Sequence, residues 1–93
     1  MNKIEKLKLI EGEFSFNEAR EILTSMFNSK INFHNIQNWS SQERYGKDDE
    51  TAQKKIPALR NEIKKLEEII SEAKANNKRL VINSEITISL KDN

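Results

Sequence analysis

Ninety-three residues, 35% apolar and 33% charged, describe a single domain, residues 1–93, whose core is lean for a monomer, so self-association is expected. The 16 basic and 15 acidic residues leave a formal charge of +1, mixed along the whole chain, which argues against a non-specific nucleic-acid or anionic-membrane binder. The chain has no cysteine and one histidine, which excludes a disulfide framework, a thiolate zinc site and a cysteine nucleophile.

No apolar run approaches the roughly 18 residues of a membrane span. The stretch Met1–Lys8 alternates charged and apolar residues and lacks a signal-peptide core, so a cytoplasmic location is expected. The abundance of Lys, Asn and Ile fits an AT-rich, bacterial genome.

Residues 6–10, Lys-Leu-Lys-Leu-Ile, alternate and predict a short strand. Gly12 then permits a turn or a bulge. Ser15 and Glu18 spell a capping box, which starts a helix at Phe16, with Phe14 placed to staple onto Ala19. Ala19, Ile22, Leu23, Met26 and Phe27 follow at helical core spacing. Beyond Phe27 the stripe degrades, and the first helix is predicted to span about 16–37. Ser40 and Glu43 make a second S-x-x-E box, with Gly46 ending a short helix at Tyr45.

Asp48 and Asp49 supply cap and dipole chemistry for a long helix over about 50–76. Ala52, Ile56, Leu59, Ile63, Leu66, Ile70 and Ala73 run through it at 4-3-4-3-4-3 spacing, the strongest signal in the chain. Isoleucine at a with leucine at d suits a parallel two-stranded coil. The flanks oppose that geometry, because Lys55 would face Arg60 of a second copy and Glu62 would face Glu67. Ile69 widens the stripe further, so packing on the chain's own first helix is favoured. Pro57 lies inside this helix and predicts either a kink or a true start near Ile56. Asn76 and Asn77 suit a left-handed C-terminal residue. From Leu80 the period becomes two. Residues about 79–90 form a half-buried strand with Leu80, Ile82, Ser84, Ile86, Ile88 and Leu90 on one side and a possible bulge at Asn83-Ser84.

The predicted fold class is therefore α+β: a helical hairpin packed with N- and C-terminal strands, sharing sheet or helix surface in a dimer. Lys30, His34 and Asn38 fall at i, i+4, i+8 on the continuation of the apolar stripe, with Trp39 and Arg44 close in sequence. Violations of local pattern tend to mark functional or strained sites. These five residues are the candidate binding surface, set against the plainer reading that they reach solvent or hydrogen-bond in a polar interface.

No carboxylate or nucleophile accompanies His34 at a defined spacing, and Asp48, Asp49 and Glu50 lack the pattern of a calcium loop. With only two glycines there is no phosphate loop. No catalysis, cofactor or metal is expected. The leading expectation is a homo-oligomeric interaction or scaffold protein whose first partner is a second copy of itself, in a homodimer, with another protein as a further partner. The order strand, helix, helix resembles that of ribbon-type repressors and implies an alternative, a DNA-associated regulator presenting Lys6 and Lys8. The helices are longer than in that pattern, a strand is added, and the net charge is nearly zero. A second alternative is a polar-ligand or anion binder around His34.

Overall fold

Ser15 sets the first corner of the chain. Its hydroxyl oxygen accepts from the Glu18 amide at 3.2 Å, and the Glu18 carboxylate accepts from the Ser15 amide at 3.0 Å, which satisfies two otherwise orphaned helix donors. The computed structural model describes residues 3–93; Met1 and Asn2, the start of the stretch read above for a signal peptide, lie outside the described residues. The elements are β1 (Ile4–Phe14), α1 (Phe16–Tyr45), α2 (Glu50–Ala75) and β2 (Leu80–Ser89). The two helices form a hairpin, and the two strands pair as an antiparallel ribbon, an α+β arrangement.

Helix α1 is longer than the 16–37 span predicted from the loss of apolar periodicity. It is continuous to Tyr45, so the second S-x-x-E box at Ser40 lies inside a helix and starts nothing. The reason is that the polar residues find partners in the interhelical loop. Asn38 Oδ1 accepts from the Asp49 amide at 2.8 Å, and Gln42 Nε2 donates to Asp48 Oδ1 at 2.6 Å. Gly46 caps the helix at φ 67°, its amide bonded to the Gln42 carbonyl, a conformation that favours glycine.

Helix α2 starts at Glu50 and not near Ile56, because the Asp49 carboxylate accepts from the Ala52 amide at 2.8 Å and holds the first turn. Pro57 is exposed within the helix. All seven stripe residues from Ala52 to Ala73 are buried or half-buried, while Ile69 is exposed. The stripe packs on α1, where Ala19 and Ile31 are also buried. Arg20 reaches Glu67 across the hairpin at 3.5 Å, an exposed pair of about 0–1 kcal/mol. Asn77 takes the left-handed conformation at φ 52°, and the Lys78 amide closes back on the Ala73 carbonyl at 2.8 Å.

Strand β1 runs well beyond the predicted 6–10, because β2 supplies ladder partners from Ile4↔Ser89 to Phe14↔Leu80. Gly12 makes neither turn nor bulge. It stays in the ladder opposite Ile82 at φ 143°, beside the Phe14 ring. The irregularity sits at Leu9, between Lys8↔Glu85 and Ile10↔Ser84, so the bulge lies on the strand facing the Asn83-Ser84 position where it was expected. A bulge bends its strand, and burial changes there. Ile10, Gly12, Phe14, Leu80, Ile82 and Ser84 are half-buried, whereas every residue from Glu85 onward and from Lys3 to Leu9 is exposed. The helices therefore cover only the basal half of the ribbon.

The result is an open shape. The Cα radius of gyration is 16.9 Å, with extents of 50 × 37 × 15 Å, against roughly 12 Å for a compact chain of this length. The accessible surface is 7647 Å², about 2,000 Å² more than a compact monomer of this mass exposes.

Leu66, 7% exposed, reports on the helix seam. Leu66→Ala is expected to lower the unfolding free energy by about 2–5 kcal/mol in urea titrations, and a loss within experimental error would place the seam elsewhere. The capping box adds a pH dependence. The Ser15 backbone and side-chain hydrogen bonds, with Arg79 a smaller contributor, hold the Glu18 carboxyl below its ordinary range. A depressed folded-state pKa gives stability that is present above the unfolded-state value and lost as pH falls through the folded one. Thermal denaturation from neutral to acid pH should show this loss in the native chain, and Glu18→Gln should flatten it.

Candidate functional site

The five candidate residues do not share one surface. From Phe27 the side of α1 that faces α2 continues through Ile31, His34 and Asn38, so the polar residues follow the apolar seam without leaving it. Lys30 is displaced from that seam and exposed, beside an apolar groove of about 220 Å³ lined also by Leu23, Met26, Phe27, Leu59 and Ser84. This groove is where both helices meet the ribbon.

His34 is 5% exposed. Its Nδ1 lies 3.0 Å from Gln37 Oε1, while Nε2 is buried with no hydrogen-bond partner among the described residues. The Phe33 ring meets the imidazole edge-on, with centroids 5.4 Å apart, an arrangement that adds some packing stability. Asn38 is half-buried and occupied by the Asp49 amide, so its side chain fixes the loop that starts α2. His34 and Asn38 thus form the polar end of the hairpin seam, where hydrogen bonding replaces apolar packing.

Trp39 and Arg44 are exposed. Trp39 is 61% exposed and stands on the side of α1 away from α2. Arg44 lines an open cleft with Ile36, Gln37, Ser40, Ser41, Tyr45 and Asp49, at the closed end of the hairpin. A guanidinium beside hydroxyls and an amide offers donors to a carboxylate or phosphate, while the Asp49 carboxylate in the same lining opposes an anion.

The structure also exposes apolar residues that the periodicity did not single out. Ile36 joins Phe33 and Trp39 on the outer part of α1. Spaced by three residues, they form an arc of apolar side chains along the helix. The second set is on the distal ribbon. Leu7 pairs with Ile86, and these residues, together with Ile88 and Leu90, are exposed. Strict alternation assigned Ile86, Ile88 and Leu90 to a buried face. The signal that separates them from Leu80 and Ile82 is the bulge on the opposite strand, which no pattern within β2 carries.

Among the described residues no group of three His, Cys, Asp or Glu side chains is placed to hold a metal ion, and no helix is long and apolar enough to cross a membrane. Comparison with protein-family models, with curated proteins and with solved structures finds no match to this chain.

The unpartnered Nε2 makes His34 a test of structural role. His34→Leu is expected to raise the unfolding free energy by about 1 kcal/mol, because it removes the buried, unpartnered Nε2 while the exposed Gln37 can turn to water in place of Nδ1. Asn38→Ala should lower it by a similar amount, about 1 kcal/mol, because the Asp49 amide loses its acceptor. Parallel thermal melts check both, and a destabilised His34→Leu would show that the imidazole's polarity is needed where it lies.

Proposed function

We propose that this chain is a small, self-associating cytoplasmic interaction protein without catalytic activity. The observation that carries this reading is the mismatch between core and surface. The buried apolar set is Ala19, Ile31, Ala52, Leu66, Ile70 and Ala73, three of them alanines, while Phe33, Ile36, Trp39, Tyr45, Ile86, Ile88 and other large apolar residues stand exposed. Exposed apolar area of this extent in a water-soluble domain serves association.

Within this reading Trp39, with its exposed neighbours Phe33 and Ile36, is the aromatic anchor on α1. Lys30 stands on the opposite side of the helix, at the groove beside the ribbon, and Arg44 lines a separate cleft. Asn38 acts from beneath, accepting from the Asp49 amide and so fixing the interhelical loop. A partner with an apolar patch matches this chemistry.

The alternative of a DNA-binding ribbon rests on Lys6 and Lys8, both exposed on β1. Lys8 lies 3.1 Å from Glu11 and opposite Glu85, and Lys6 shares their side of the ribbon. That mixture of charges repels phosphate as much as it attracts it. An anion binder at the Arg44 cleft is supported only by the donors gathered there.

Static light scattering at micromolar concentration is expected to give an oligomer mass, and a monomer would overturn self-association. The double substitution Ile36→Ser with Trp39→Ser should change stability by no more than about 0.5 kcal/mol per site. It should nevertheless abolish capture of the partner protein that the native chain retains from its own cell extract. Unchanged capture by the folded variant would move the recognition surface off α1.

A further inference from the structure

The ribbon has two free edges, and they differ. The β1 edge carries Lys3, Lys6 and Lys8 and is broken by the bulge at Leu9. Lysines and bulges are the means by which sheet edges are kept from pairing. The β2 edge is regular along its length, and between Leu80 and Ser89 its one charged side chain is Glu85. Its distal part, Ile86-Thr87-Ile88-Ser89, is uncharged and rich in strand-forming residues. The helices reach the ribbon only as far as Ser84, so this segment is unobstructed.

We propose that the β2 edge is a homodimer interface, joining a second copy of this chain into a four-stranded sheet ordered β1-β2-β2-β1. This rests on the self-association proposed above and assigns the surface responsible. The Leu90 amide donates inward to the Lys3 carbonyl at 2.8 Å. Alternation along the strand then turns the amides and carbonyls of Thr87 and Ser89 outward, to the free edge. Two-fold pairing that keeps one shared face sets residues of equal parity opposite each other. Centred on Ile86, Thr87 or Ile88, it aligns outward groups with outward groups. It also places Glu85 opposite Thr87, Ser89 or Lys91 of the second copy, never opposite another acid.

The same operation on β1 fails. Centred on Glu5, Lys6, Leu7 or Lys8, it opposes Glu5 to Glu5, Lys6 to Lys6, Lys6 to Lys8 or Lys8 to Lys8, and like charges directly opposite are destabilising. Charge therefore selects β2 and also ends the assembly, because the outer edges of the four-stranded sheet are the guarded β1 strands. The excess surface of about 2,000 Å² per chain exceeds the roughly 800 Å² per partner of a standard stable interface.

Proline substitution isolates the edge. Thr87→Pro removes an outward amide while leaving the ladder to β1 intact, and Lys6→Pro does the same on the guarded edge. Both variants are compared with the native chain by sedimentation equilibrium, with circular dichroism confirming that each is folded. The expected result is a native dimer, a dissociation constant raised about tenfold or more in Thr87→Pro, and no change in Lys6→Pro. Thr87→Glu, which faces Glu85 of the second copy when pairing is centred on Ile86 and faces its own copy when it is centred on Thr87, should weaken the dimer without relying on proline. A folded Thr87→Pro and a folded Thr87→Glu that both dimerise normally would overturn the β2 edge while leaving self-association standing. A native monomer would overturn both.

Discussion

Everything in this fold depends on the antiparallel seam between α1 and α2. It returns the chain so that Phe14 and Leu80 meet, and that meeting begins the only sheet pairing among the described residues. A two-stranded ribbon is marginal alone, so its stability is borrowed from the hairpin through the basal residues Ile10, Phe14, Leu80 and Ile82. The seam itself changes character along its length. Near the ribbon it is apolar, built on Ala19, Leu66, Ile70 and Ala73. Toward the interhelical loop it passes through His34 to Asn38, and hydrogen bonds to the loop take over from packing.

This division has consequences for function. The apolar end can tolerate little change, because small cores leave a thin margin. The polar end orders a four-residue loop and sets the start of α2, and it ties the last turns of α1 to that loop. A recognition surface on a helix braced in this way is more rigid than one carried on a loop. The ribbon is the opposite case. Past the Leu9 bulge each of its described residues is exposed, and the β1–β2 ladder is its main support.

The two exposed apolar sets therefore suit different tasks. The β2 edge offers a row of backbone donors and acceptors that a second strand can pair in register, which suits a symmetric and self-limited contact. The arc of Phe33, Ile36 and Trp39 offers side chains without a backbone edge, which suits a partner of a different kind. The proposed dimer would present two copies of the arc, a geometry that raises avidity without new contacts.

The local chemistry of the chain was legible in order. The Ser15–Glu18 box, the Gly46 cap, the Asp49 cap, the Ala52–Ala73 stripe and the strand from Leu80 are properties of short windows, and the structure uses each of them. What depended on distant partners was not legible. The loop that accepts Asn38 and Gln42 keeps α1 intact to Tyr45 where periodicity ended it early, and β2 extends β1 through Gly12 to Phe14. Helical spacing and sequence proximity grouped Lys30, Trp39 and Arg44 with His34 and Asn38, and only packing separates the first three, which are exposed, from the last two, which turn inward. By itself the sequence determined the elements, their caps and the small core, because those follow from side-chain period and capping chemistry. Tertiary structure alone decided which apolar residues stay uncovered, because that depends on where the Leu9 bulge carries the ribbon away from the helices.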